Sequence, residues 1–166
     1  MPSDPMTAAT DVVATRVFDA PVDRVWRAWS EPEDIRQWWG PVGFTVPVAD
    51  LDFREGGRSL ICMSAPQVGD LYNAWHYHRI VPQERIEFVL TFTDETGTTL
   101  DPQAVGIPPG VPREVPHIVT FRALDATTTE MTVTERGYTT AVAAETSKLG
   151  LDQVLDKLAA LVAGTT

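Results

Sequence analysis

An α+β fold is predicted, a curved seven-stranded antiparallel sheet around one long C-terminal helix, with two short helices after the first strand. Three observations predict it. A strand-like run over 12–18 is followed by two short stretches of helical spacing. From residue 45 to 136 the hydrophobic period is two, in six runs broken by turn residues. From about 139 to 162 the period becomes helical without a break, and an antiparallel sheet with one apolar face needs such a cover.

Val12-Val13-Ala14-Thr15-Arg16-Val17-Phe18 is rich in β-branched residues and ends at Asp19-Ala20-Pro21, where proline suits a first helical turn. Val22, Val25, Trp26 and Trp29 then fall at i, i+3, i+4 and i+7, one apolar stripe. Ser30-Glu31-Pro32 ends that helix and starts another carrying Ile35, Trp38 and Trp39, which Gly40-Pro41 stops. Strands are predicted over 45–53, 58–64, 72–80 and 85–93. Gly56-Gly57, the segment 65–71 and Val81-Pro82-Gln83-Glu84 separate them. The stretch 94–116 holds five prolines and three glycines and is expected to be a loop, with 98–116 lying over one mouth of a cavity. Strands over 117–124 and 129–136 form a hairpin across Asp125-Ala126-Thr127-Thr128. In the last helix Leu151, Val154, Leu155, Leu158 and Leu161 or Val162 form the buried stripe.

The chain has 166 residues, enough for one self-sufficient core, expected over 11–163 after a flexible tail at 1–10. Its formal net charge of -10 disfavours phosphate backbones and anionic membranes, so neither nucleic acid nor a membrane is expected as partner. A lone cysteine, Cys62, lies in the apolar run Leu60-Ile61-Cys62-Met63 and reads as packing. With no apolar stretch of membrane-spanning length and no leader pattern, the expected location is the cytoplasm.

The segments Ala20-Pro21-Val22-Asp23-Arg24-Val25-Trp26 and Gln37-Trp38-Trp39-Gly40-Pro41 resemble the opening of one branch of the START-like (SRPBCC) superfamily, that of the activator of heat-shock protein 90 ATPase. Asp52-Phe53-Arg54-Glu55-Gly56-Gly57-Arg58, Ile80-Val81-Pro82-Gln83-Glu84-Arg85-Ile86 and the helix from Gly150-Leu151 to Leu161 agree in order, over about residues 11 to 163. The resemblance implies the helix-grip fold, with a cavity between the sheet and the last helix that the superfamily uses for lipids, polyketides, hormones and other apolar molecules. The branch takes its name from a co-chaperone in which a similar domain is joined to an N-terminal domain not found in this sequence.

In such a fold the strand ending at Ile80 turns alternate residues to the cavity, and those positions are Ala74, His76, His78 and Ile80. Residues two apart on a strand point the same way. His76 and His78 are therefore candidate binding or catalytic groups, the plainer reading being hydrogen-bonded core histidines. If Ile80 opposes Ile86, His78 lies beside Phe88 and His76 beside Leu90, while Trp75 and Tyr77 face outward and offer a possible homodimer contact. Pairing Phe121 with Met131 sets Val119 against Val133 and His117 against Glu135, either a charged pair at the cavity or two wet strand ends. Trp38 and Trp39 complete the set, one lining the cavity and one packing beneath it, with Leu155 on the helix.

Three histidines and a glutamate could bind zinc, but His76-Tyr77-His78 lacks the spaced companions of a zinc motif, and no metal or cofactor is expected. Three functions remain. The first is a binding domain for a small, largely apolar molecule with one polar end. The second is a polyketide-cyclase-like or hydrolase-type enzyme using cavity histidines. The third is a co-chaperone-like regulator of an ATPase.

Overall fold

The computed structural model describes residues 10–163. The tail expected over 1–10 lies outside that range except for Thr10, which opens the first strand. The elements are β1 (Thr10–Phe18), α1 (Val22–Ser30), α2 (Pro32–Trp38), β2 (Thr45–Asp50), β3 (Arg58–Ala65), β4 (Gly69–Val81), β5 (Arg85–Thr93), β6 (Glu114–Asp125), β7 (Thr128–Tyr138) and α3 (Ala141–Ala163). The strands form one antiparallel sheet in the order β1-β7-β6-β5-β4-β3-β2.

The predicted fold class is the observed one, and the departures are local. The 94–116 segment contains a short 3-10 turn, Pro102–Val105, started by the Asp101 side chain accepting from the Gln103 N–H. It also gives up its end to β6, which begins at Glu114. Pro116 is tolerated there because the β6–β7 ladder starts one residue later, at His117↔Glu135.

Aromatic packing fixes the two short helices on the sheet. The Trp38 indole donates to the Ala28 carbonyl at 2.7 Å, the Trp29 indole reaches the Met131 sulfur at 3.2 Å, and the two rings meet edge to face. Arg24, buried on α1, pairs with Asp34 on α2 at 2.7 Å. Thr140 caps α3 by accepting from the Ala143 N–H at 3.0 Å. Arg16 on β1 reaches Asp156 at 2.8 Å and the Lys157 ammonium donates to the Gly40 carbonyl at 2.9 Å, so both sides of α3 are tied down.

The two halves of α3 do different things. Leu151, Val154, Leu155, Leu158 and Val162 are buried and fill the space above the sheet. The first half turns Ala143, Thr146, Ser147 and Gly150 to the same side. These residues are too small to reach the sheet, and a cavity remains between them and Leu90, Phe92 and Val115.

Candidate functional site

The cavity has a volume of about 290 Å³ and is apolar for most of its wall. Trp39, Gly40, Pro41 and Met63 close one end, and Ile107, Pro108 and Val111 of the long loop form part of the rim. The Thr139 N–H donates to the Gly110 carbonyl at 2.9 Å, which holds the loop against the start of α3.

Polar side chains interrupt the apolar wall at two ends, besides Thr146 on α3. At one end His117 and Glu135 face each other across β6 and β7, Nε2 to Oε2 at 3.4 Å, with only 4% and 8% of each residue exposed. The other imidazole nitrogen, Nδ1, donates to the Val115 carbonyl at 2.9 Å. A carbonyl only accepts, so Nδ1 carries a proton, and a neutral ring would turn a bare Nε2 lone pair toward the carboxylate. One further proton between Nε2 and Oε2 resolves the contact. Burial pushes the Glu135 carboxyl up, but the facing His117 charge and hydrogen bonds from His117 and Tyr138 outweigh it and hold the group below its ordinary value. A proton on Nε2 makes this contact a charge-assisted hydrogen bond between the two buried side chains.

Tyr138 completes this end. Its hydroxyl donates to Glu135 Oε1 at 2.6 Å, and the Ser147 hydroxyl on α3 adds a hydrogen bond to it. Burial, together with the Glu135 charge, pushes the phenol well above its ordinary range, so it remains a donor. In a regular strand residues three apart point to opposite faces. Here β7 spends three residues, Glu135 to Tyr138, where β1 spends two, Val12 to Thr10. That extra residue, next to Gly137 at φ 96°, returns Tyr138 to the Glu135 face.

At the other end is Asn73 on β4, 2% exposed, on the Trp39 and Met63 side of the cavity. Its Oδ1 accepts from the Trp75 indole at 2.9 Å. An indole N–H only donates, so this contact fixes which way the amide lies.

Sequence-predicted residues divide between cavity, core and outer face. Trp39, Leu90, His117 and Glu135 line the cavity. Trp38 and Leu155 do not; both are fully buried in the core. Phe88 lies beneath the wall, stacked on the His117 ring. Leu151 and Val154 take the place expected of Leu155.

His76 and His78 are corrected. Tyr77 pairs with Phe88 but Arg79 with Glu87, so β4 carries one extra residue at His78. Ile80 does oppose Ile86, yet every position N-terminal to the bulge turns to the face opposite the expected one. Trp75 and Tyr77 point inward and are buried, which removes the basis for an aromatic dimer contact. His76 lies on the outer face between Arg58 and Val89, and His78 is exposed at the bulge. Burial, the Arg58 charge and that of His78 hold the His76 imidazole below its ordinary value, with Glu114 pulling the other way.

Tyr138, Asn73 and Ser147 escaped the sequence reading. Gly137 inside a strand was the available signal for Tyr138, since glycine there marks a bulge. Asn73 shares the inward face with Leu71, Trp75 and Tyr77, the face that counting back from Ile80 assigns to the outside. Among the described residues no cluster of three or more His, Cys, Asp or Glu side chains is arranged to hold a metal, and no helix is long and apolar enough to cross a membrane.

The model of the family described as "Activator of Hsp90 ATPase homolog 1-like protein" matches residues 19–163. A crystal structure of a Chromobacterium violaceum protein is similar, with 28% identity over 93% of this chain and 98% of that one and a TM-score of 0.76. A protein of Rhizobium leguminosarum shares 26% identity over 95% and 97%, with a TM-score of 0.71. A Silicibacter pomeroyi protein named for the same family has a TM-score of 0.74 at 19% identity over 93% and 98%, a likeness of fold alone. No curated protein matches the chain in sequence.

Proposed function

Since the chain belongs to the activator of Hsp90 ATPase homolog 1-like family and shares its helix-grip fold, we propose that it binds a small, largely apolar molecule between the sheet and the N-terminal half of α3. The observation that carries this reading is the His117 and Glu135 pair, buried at the wall of a largely apolar cavity. Placing two ionisable groups away from water is costly, and a dry, tightly packed core could have used apolar residues there at equal or lower cost. A polar end inside an apolar space is what orients a ligand that is mostly hydrocarbon.

Histidine-based turnover has less support. His76 and His78 lie outside the cavity, and both nitrogens of His117 are engaged, one by the Val115 carbonyl and one by Glu135. Neither is left to move a proton on a bound substrate. The co-chaperone reading rests on the family's name and gains no surface feature from the geometry.

Calorimetric titration with 4-hydroxybiphenyl tests the proposal. One saturable site is expected, and Ser147→Trp, which would fill the cavity from α3, should abolish binding while the protein still melts cooperatively. Equal binding by Ser147→Trp would place the ligand elsewhere and end this reading.

A further inference from the structure

The two polar ends of the cavity are opposite in hydrogen-bonding character. At the β6–β7 end the donors are spent inside the protein: His117 Nδ1 on Val115, His117 Nε2 on Glu135, and the Tyr138 hydroxyl on Glu135 Oε1. A carboxylate offers about four lone-pair positions, and two of them are used here. What this end retains is acceptor capacity. At the β4 end the Trp75 indole holds Asn73 Oδ1, so the amide NH2 is the half left over, and none of the described groups accepts from it. What that end retains is donor capacity. Asn73 is 2% exposed, so only a molecule within the cavity can use it.

The ends are well separated. Asn73 opposes Phe92 on β5 and His117 opposes Phe88, four residues back along the same strand, with Glu135 one strand further. Four residues of strand span roughly 13 Å. Between them the sheet side of the wall is Leu90 and Val115, and α3 adds Leu151 and Val154 beyond Thr146 and Ser147.

We infer that the cavity selects an uncharged, elongated apolar molecule with a hydroxyl or N–H at one end, received by Glu135, and a carbonyl or ether oxygen at the other, received by Asn73. The inference rests on the cavity being a binding site and adds the chemical class of the occupant. A carboxylic acid at that end would bring a second carboxyl group to Glu135, and an amine would meet a carboxyl group already engaged by His117 and Tyr138. A plain hydrocarbon would leave the Asn73 amide unpaired.

The test uses four rigid probes on the full chain: 4-acetyl-4′-hydroxybiphenyl, 4-hydroxybiphenyl, 4-acetylbiphenyl and biphenyl. A hydrogen bond to a charged group is worth about tenfold in affinity or more, and one between neutral groups about fivefold. The hydroxyl should therefore strengthen binding about tenfold and the acetyl group about fivefold, with the two gains multiplying in the first probe. Glu135→Gln, which keeps an acceptor oxygen but loses the charge, should lower only the hydroxyl's gain, from about tenfold to about fivefold, and Asn73→Leu should remove only the acetyl's. Should either variant fail to fold, the probe series on the unmodified protein decides. If all four probes bind alike, the inference about polarity fails while the cavity stands as a binding site. If none binds, the cavity reading fails and this inference with it.

Discussion

Phe88 lies flat beneath the imidazole of His117, ring centroids 4.6 Å apart and planes 17° from parallel. The same phenylalanine stacks on Trp75, 4.6 Å away, so the cavity histidine stands on a column of aromatic rings that continues into the core. The column fixes one face of the ring, the Val115 carbonyl fixes one edge, and Glu135 fixes the other. A buried ring held so completely is costly to disturb from one side only.

His117→Leu leaves the Glu135 carboxylate buried with Tyr138 as its remaining hydrogen-bond donor, and is expected to cost roughly 3–5 kcal/mol. Changing His117 and Glu135 together to leucine removes both ionisable groups and should leave stability unchanged or raise it. Urea denaturation of both variants checks this. A harmless single substitution would mean that the pair makes no such hydrogen bond.

The same pair predicts an acid-sensitive stability. Because the folded Glu135 carboxyl is held below its ordinary value, the unfolded chain takes up the proton first as pH falls. The contribution is whole above about pH 4.3, the ordinary glutamate value, and is lost as pH drops through the folded value. Stability of Glu135→Gln and the unmodified protein, followed by denaturant between neutral and acid pH, should run parallel above that point and converge below it. Curves that stay parallel throughout would assign the acid loss to other carboxylates.

Gly150 and Leu155 are five residues apart on α3 and should respond in opposite directions. A Cβ on Gly150 would lie 3.7 Å from Pro41 Cγ, an ordinary contact, so Gly150→Ala should gain about 1 kcal/mol of helix propensity. Leu155 is fully buried, and Leu155→Ala should cost roughly 2–5 kcal/mol. Thermal and urea midpoints of the two variants read both effects.

Gly110 couples the loop to the cavity mouth. At φ 104° it adopts a conformation that disfavours any side chain, and a Cβ there would come within 2.3 Å of Thr140 Oγ1, the atom that caps α3. Gly110→Ala should cost roughly 1–3 kcal/mol and free the 107–111 rim, which amide exchange at those residues would show as faster exchange. Unchanged exchange would mean that the loop is not held through this contact.

Most of the fold is legible in alternation, because apolar residues at every second position specify a face wherever one face is buried. Phe121, Met131, Val119 and Val133 set the β6–β7 register, and that register alone places His117 opposite Glu135. Alternation misleads where a strand carries an extra residue. Counting back from Ile80 crosses the bulge at His78 and exchanges His76 for Trp75. The bulk of Trp75 and Tyr77 is the better guide, since large aromatic residues contribute most by burial. The cavity itself is hidden for a different reason. It is made by the small size of Ala143, Thr146, Ser147 and Gly150, and a hydrophobic pattern records where a helix packs rather than where it falls short.

A small apolar molecule held against Glu135 in the space between Ser147, Leu90 and Val115 would touch the methyl groups that line it. Intermolecular nuclear Overhauser effects between the ring protons of 4-hydroxybiphenyl and the protein's methyl groups test it most directly. Contacts are expected to the methyls of Leu90, Val115, Leu151 and Val154, with the phenol nearest Val115. Contacts to methyls of the outer sheet face, such as those of Val89, or none to the cavity methyls at saturating probe, would contradict it.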